Sequence, residues 1–509
     1  MLTRHRPTLG YRWLEILPAA LTWSILLSLV VFSVIAPIVT AILVFCYAMY
    51  WFANSILMSA HLIHGFRTYR KAISTNWQTR LVTDLQTRDR WHNIYHLIII
   101  ANAKETWPIL AATLEALRSS TFPLKQILVV LATEERYQEQ GAENSRQFRS
   151  RYGHLFGGVF VTVHPQNLPA EIVGKGANIT FSAEAILPQL TERGIKSEQV
   201  IVTTLDADNR VHPVYLSALT WTFFHATKPH LTSYQPLPMY FNNIWSVPMI
   251  VRSISVGSSF WQMIEATRPY RLRNFSAHSQ SLPLLIKSNF WSKTTIVEDG
   301  HQYWRSFFAT NGQHTVTPIF VPIFQDAVHS PDGHLMTYQE QYIQKRRWAW
   351  GVSNVPFVLS TMWARRRELP RGSWLQAVRL IEGHTTWAVT SLILAIFGWL
   401  PTLLSPRFRT TVFAFHFASD YQHLLQFAMV GMVVSLVISR LLLPPRPKIR
   451  LHSNDLLEWI LAPILLPLAN IFFGSLAAID AQTRLALGKY LEFRPTAKAV
   501  ERQILPTTV

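Results

Sequence analysis

Two carboxylates one residue apart close an apolar run in Thr203-Thr204-Leu205-Asp206-Ala207-Asp208-Asn209. If that run is a strand, they stand at its carboxyl end, where open α/β sheets bind ligands, and they suit a hard divalent cation held against a diphosphate. The same spacing also caps backbone amides in ordinary turns. A second acidic pair, Glu298-Asp299-Gly300, follows the apolar lead-in Ile296-Val297. A carboxylate there can take a proton from an attacking hydroxyl, or can simply cap a helix. Third comes Gln344-Lys345-Arg346-Arg347-Trp348-Ala349-Trp350-Gly351. Arg offers two parallel donors to a phosphate and Trp offers an apolar face to a sugar ring, although a plain interfacial helix would carry the same residues. Lys175 lies between Gly174 and Gly176, which let backbone amides approach an anion; the alternative is a solvated Lys on a surface turn.

These groups need a frame. Between residues 81 and 371 short apolar runs alternate with longer amphipathic ones. Runs 97–100, 127–131, 159–163 and 200–205 read as buried strands, and 107–118, 145–153 and 177–190 as helices. The order β-α-β-α-β-α-β predicts an α/β domain with a mostly parallel sheet and right-handed crossovers. Asp206 and Asp208 then sit at the end of the fourth strand.

Both ends of the chain read differently. Residues 16–65 contain no Asp, Glu, Lys or Arg, more than the roughly 20 residues one helix needs to cross a bilayer. Two spans fit, with a boundary at Pro37. Arginines on either side (Arg4, Arg6, Arg12; Arg67, Arg70) place both flanks in the cytoplasm. Further spans are expected at 385–404 and 424–443, while 456–479, with Pro463 and Pro467, suggests a kinked or re-entrant segment. The resulting division is 1–66 (two transmembrane helices), 81–337 (catalytic domain), 338–372 (amphipathic interface), 383–480 (C-terminal transmembrane helices) and 481–509 (basic cytoplasmic tail).

Composition agrees with a membrane protein: 49% of residues are hydrophobic and only 15% are charged, against about 25% charged in soluble domains. The net charge of +18 collects beside apolar segments, as at Arg365, Arg366 and Arg367 or Arg446, Lys448 and Arg450, where a lipid surface explains it better than nucleic acid. Cys46 is the only cysteine, so an intrachain disulfide and a cysteine-based zinc site are both excluded.

Taken in order, the Asp-x-Asp, Glu-Asp and Gln-x-x-Arg-Trp elements resemble the family 2 glycosyltransferases of GT-A fold, especially membrane-embedded cellulose-synthase-like and ceramide-glucosylating enzymes. The resemblance covers about residues 97–351. It implies a Rossmann-like GT-A domain on the cytoplasmic side, flanked by transmembrane helices of a multi-pass cell-membrane protein. It also implies inverting transfer from a nucleotide-diphosphate sugar, UDP-linked by the family's habit, to a polysaccharide or lipid acceptor. Asp206 and Asp208 would face the diphosphate and hold Mg2+ or Mn2+; Asp299, with Glu298, would supply the base. Lys175, Gln344 and Arg347 would bind the donor, and Trp348 and His278 the acceptor. The family's nucleoside-binding Asp residues are replaced by Ala132-Thr133-Glu134-Glu135, and its first-strand signature is approximated by Ala101-Asn102-Ala103-Lys104-Glu105. By the resemblance Glu134 or Glu135 would substitute for them, one methylene longer, or the donor base differs, and Glu105 would lie beside the donor with Glu134. Aromatics such as Phe260 and Trp261 line a glycan or lipid path on this reading, or belong to the core. A partner subunit would complete a polymer channel. A non-catalytic receptor or scaffold with a degenerate nucleotide-binding domain is the alternative, and a transporter a third reading.

Overall fold

The computed structural model describes residues 8–445, 461 and 465–493. Its centre is an eight-stranded sheet: β1 (Tyr95–Ala101), β2 (Ile127–Glu134), β3 (Gly158–His164), β4 (Val200–Asp206), β5 (Arg210–Val211), β6 (Thr232–Met239), β7 (His278–Ser281) and β8 (Thr315–Phe324), in the order β3-β2-β1-β4-β7-β6-β8-β5. β1 runs parallel to β2 and β4, and β2 to β3, as the alternation of strands and helices requires. The other half departs from the mostly parallel expectation. β7 is antiparallel to both β4 and β6, β5 is antiparallel to β8, and β6 and β8 run parallel, so the sheet is mixed.

β1, β2 and β4 are buried along nearly their whole length because both faces are covered, while β3, at the edge, buries alternate residues. Ile98, Ile100, Val129 and Leu131 pack into one layer, beneath helices Trp107–Arg118 and Tyr215–His225. Leu97, Ile99, Leu128 and Val130 pack into the other, beneath helices Lys175–Glu192 and Leu282–Lys287. Helix Gln138–Tyr152 begins seven residues before the expected 145, since its first turns, Gln-Glu-Gln-Gly-Ala-Glu-Asn, carry no apolar stripe.

Helix Leu9–Ile35 ends at Ala36, and Pro37 starts a second helix that runs on to Ser74, past the expected end of the membrane block. Among the described residues four helices are long and apolar enough to cross a membrane: these two, Val412–Leu442 and Leu465–Ala486. Ser373–Ala395 with Phe397–Leu404, bent by 50°, makes a fifth if the pair is one span. The last helix contains a π-helical stretch, Asn470–Leu476. Two helices, His334–Ala349 and Asn354–Ala364, occupy the expected interface region. Arg4, Arg6, Pro463, the basic group at 446–450 and the tail from 494 lie outside the described residues.

Candidate active site

Asp206 is the last residue of β4, level with Ala101 at the end of β1. Its carboxylate pairs with Lys175 Nζ at 2.7 Å and accepts from Ser276 Oγ at 3.3 Å. Lys175 opens helix Lys175–Glu192 and is largely buried. The glycine after it has a packing reason: a Cβ on Gly176 would lie 2.3 Å from the Ser292 carbonyl oxygen and 3.0 Å from Glu298 Cβ. Only a bare Cα lets this helix end abut the acidic pair.

Glu298 and Asp299 form the first turn of helix Glu298–Ala309, where negative charge is favoured by the helix dipole. Glu298 is buried, and burial first, then the neighbouring Asp299, pushes its carboxyl up to about 7. Asp299 is more open. One of its oxygens accepts from Ser276 N–H at 2.8 Å and the other from Gly300 N–H at 2.7 Å, which fixes the carboxylate while leaving lone pairs for a proton. Ser276 therefore joins the two acidic motifs, and it does so at φ 25°, a left-handed backbone that a non-glycine residue adopts at a cost of about 1–3 kcal/mol.

Asp208 is buried, and its Oδ2 accepts from Asp326 N–H at 3.1 Å. Asn242 Nδ2 donates to both the Asp208 carbonyl and Asp326 Oδ1, each at 2.9 Å, and Arg210 faces both acids. Asp326, just past β8, and Asn242, just past β6, are thus parts of the centre.

Gln344, Arg347 and Trp348 stand on helix His334–Ala349 at spacings of three and four, hence on one side of it. Gln344 Oε1 accepts from Gln341 at 3.3 Å, and Arg347 lies 5.4 Å over the Phe493 ring. Trp348 packs on Tyr240 and Phe275, both at 5.6 Å between ring centroids. Tyr240 joins this helix to the acids: burial, then the charges of Asp206, Asp299 and Asp208, drive its hydroxyl well above its ordinary range, and Arg347 opposes them.

Glu105 and Glu134 share the same sheet edge, past β1 and at the end of β2. Glu105 accepts from Ala103 N–H at 2.9 Å; Glu134 pairs with Arg136 at 2.6 Å, and burial raises its carboxyl. His278 differs from its expected acceptor role. It is buried in β7, its Nε2 accepts from Trp291 Nε1 at 3.1 Å, and burial pushes its imidazole down to about 3. A neutral ring tied into the core is a structural link, and Ser276, two residues earlier, reaches the acids instead.

No group of three or more His, Cys, Asp or Glu among the described residues is arranged to hold a metal. Asp206 and Asp208 alone offer two hard oxygen ligands. That fits a cation such as Mg2+, which takes few ligands from protein and the rest from phosphates and water.

No family model and no curated protein matches the chain. Among solved structures, a mannosyltransferase from Pyrobaculum calidifontis in complex with GDP-Man and Mn2+ is 13% identical, over 84% of this chain and 99% of its own, with a TM-score of 0.40. S. aureus TarS in complex with UDP-GlcNAc is 14% identical, over 79% and 94%, with a TM-score of 0.31. Overlaps this shallow carry no argument about this chain.

Proposed function

We propose that the chain is an inverting membrane glycosyltransferase that moves a sugar from a nucleotide-diphosphate sugar to a lipid or glycan acceptor. The observation that carries this reading is the convergence, through Ser276, of Asp206 from the end of β4 and Asp299 from the start of another helix, beside Lys175 and below the helix bearing Arg347 and Trp348.

The nucleoside would lie over the ends of β1 and β2 near Glu105 and Glu134, and the diphosphate at Lys175, whose partner Asp206 is already aligned. Arg347 would contact the phosphates. Mg2+ or Mn2+ held by Asp206 and Asp208 would neutralise charge on the leaving diphosphate. Asp299 takes the proton from the acceptor hydroxyl as its oxygen attacks the anomeric carbon from the side opposite the diphosphate. The bond to the diphosphate oxygen breaks as the new glycosidic bond forms. Burial of Glu298 disfavours its charged form. Glu298 therefore serves the site better as a neutral neighbour of Asp299 than as a second base.

The catalytic domain is read as cytoplasmic, because Arg67, Arg70 and Lys71 stand in the last turns of the second apolar helix. The divisions at 66, 81, 337, 372 and 480 remain a working scheme, with the change that helix Leu465–Ala486 runs past the last of them.

The test is turnover. Purified chain in nanodiscs would be given a panel of nucleotide-sugars with Mg2+ or Mn2+, and released nucleoside diphosphate measured. Release that is specific to one donor and needs the metal supports the enzyme. Silence across the panel, with no metal-dependent nucleotide binding, favours the scaffold.

A further inference from the structure

Helix Leu465–Ala486 has the length and composition of a span, yet both its ends rest on the side of the sheet domain. The chain comes to it from that side: past helix Val412–Leu442, the Pro444 carbonyl accepts from Trp245 Nε1 at 3.1 Å. Leu465 and Leu466 then border a small gap with Met249, Ile250 and Ser253, at the start of the domain helix Met249–Ala266. At the other end, the Leu485 and Ala486 carbonyls accept from Arg12, in the first turn of helix Leu9–Ile35. The chain continues past Tyr490, edge-on to Trp350 at 6.3 Å between ring centroids, to Phe493, whose ring lies 5.4 Å from the Arg347 guanidinium. Trp350 and Arg347 both stand in the interface region. A helix that crosses a bilayer has its ends on opposite sides of a hydrocarbon core about 30 Å thick.

Between these ends it runs along the interface helix His334–Ala349. Phe473 packs on Tyr338 at 6.5 Å, and Asp480 accepts from Tyr342 and Arg346 at 3.3 and 2.9 Å. The advance from Phe473 to Asp480 matches that from Tyr338 to Arg346, so the two helices lie side by side. Helix Ser373–Ala395 meets it differently. Gly474 and Ser475 face Trp387, and Gln482 Nε2 donates to the His384 carbonyl at 2.9 Å. From Gly474 to Gln482 one helix rises about 12 Å, while from Trp387 to His384 the other moves only about 4.5 Å. It therefore crosses that membrane helix and does not follow it. One side stays uncovered: Leu468, Phe472 and Leu476, at four-residue spacing, are exposed, whereas Ala469, Ile471, Ser475, Ala478 and Gln482 are buried.

We propose that Leu465–Ala486 is a membrane-docking helix that lies flat in the lipid surface on the domain's side. Leu468, Phe472 and Leu476 enter the boundary between head groups and acyl chains, and the buried side rests on the interface helix. The lipid surface is the occupant that fits, because the stripe stands where the helices it touches, Leu9–Ile35 and Ser373–Ala395, leave the domain for the bilayer, and it is as apolar as their own exposed faces. Through Tyr342 and Arg346 the docked helix holds the element that carries Arg347 and Trp348 at the membrane. Its basic end, with Arg484 and Lys489, then keeps to the domain's side, as the charge rule for membrane proteins favours. The inference rests on the membrane reading and not on the reaction.

The test is the depth of spin labels. In the full chain carrying Cys46→Ser, which removes the one free cysteine, single cysteines replace Leu468, Phe472 or Leu476 in one set and Val433, Val437 or Leu441, exposed on helix Val412–Leu442, in the other. Each chain carries a nitroxide in vesicles of phosphatidylcholine and phosphatidylglycerol, where relaxation by oxygen and by a nickel chelate reports depth. Four residues of a crossing helix change depth by about 6 Å. The labels on Leu465–Ala486 should show no such steps and lie about 5–10 Å into the head-group boundary, while those on Val412–Leu442 step by about 6 Å each. Steps of about 6 Å along Leu465–Ala486 overturn the inference. So does shielding of its labels from both relaxants, which means that protein covers the stripe. If one labelled variant does not fold, the other two still give the slope. Labels on Val412–Leu442 that meet the nickel chelate as freely as in water defeat the membrane reading itself, and the inference with it. Nucleoside diphosphate release, measured separately, bears only on the reaction.

Discussion

At the scale of single residues, the two acids of the Glu298-Asp299 pair are chemically distinct. Asp299→Asn keeps one of the two backbone hydrogen bonds, since its amide nitrogen cannot accept from the second N–H, and removes the proposed base, so transfer should fall by about 10²–10⁴-fold, the usual worth of a positioned proton acceptor, with donor affinity kept. Parallel turnover and titration calorimetry check this. Glu298 gives a pH signature. Its folded-state carboxyl is raised from 4.5 to about 7, so the folded chain holds a proton that the unfolded chain releases. The associated stability is complete below about pH 4.5 and is lost as pH rises through about 7. The unfolding temperature of the native chain should therefore decline over that window, and that of Glu298→Gln should decline less; parallel profiles would contradict the shift. Gly176→Ala drives a methyl against a backbone carbonyl. Overpacking of this kind costs about 1–3 kcal/mol, and the displaced Lys175 should weaken donor binding in the same calorimetric assay. The acidic motifs and Lys175 were legible because their types and spacing are unusual. Ser276, Tyr240 and Asp326 were not: each is a single common residue, and only the fold brings it to the centre. A recognised strand ending at Phe324 would have marked Asp326, since it would then stand at a carboxyl end.

At the scale of elements, β1, β2 and β4 were legible because burial on both faces demands long apolar runs, and the edge strand β3 because its valines and Phe160 make a β-branched and aromatic run. The second half of the sheet hides for an equally physical reason. β7 reads His-Ser-Gln-Ser, yet is fully buried, held by Thr203 to Ser279 at 2.7 Å and by Gln280 to Ser233 and Ser306 at 2.7 and 2.9 Å. A buried polar network replaces hydrophobicity there. β6 and β8 carry Pro236, Pro238, Pro318 and Pro322, and the register between them slips at Gln235/Leu237, which disguises both as loops. One contact between elements has a kinetic consequence. His301, two residues past Asp299, pairs with Asn354 at 2.7 Å, and Asn354 is buried in the interface region. Burial pushes His301 down to about 4, so this is a neutral link setting the helix that carries Asp299. Asn354→Ala should lower kcat by roughly tenfold, the effect of a small misplacement of a reacting group, while donor Kd stays put. An equal loss in donor affinity would show that the link supports the whole domain.

At the scale of the molecule, Asp480 gathers several polar ties between the last apolar helix and the interface helix. It accepts from Arg346 at 2.9 Å and Tyr342 at 3.3 Å on the interface helix, and from Arg484 at 2.6 Å on its own. Asp480→Ala would leave two guanidinium groups uncompensated in a partly buried place, a loss of about 3–5 kcal/mol if they are fully desolvated and less here. The measurement is the unfolding temperature in detergent, expected to drop; no change would mean that solvent already screens the cluster. The two long apolar helices near the N-terminus were legible from charge-free length, and Pro37 stands at the first position of the second, where its missing N–H costs nothing. The π-helical stretch at Asn470–Leu476 was not, because nothing in its composition distinguishes it from an ordinary span.

The central claim is that Asp299 removes the acceptor proton at a centre which binds the donor without it. Donor binding and nucleoside diphosphate release should be measured together on the native chain and on Asp299→Asn, with the donor that the panel selects. The account predicts equal donor affinity for both and release from the native chain alone; release by Asp299→Asn at the native rate would contradict it.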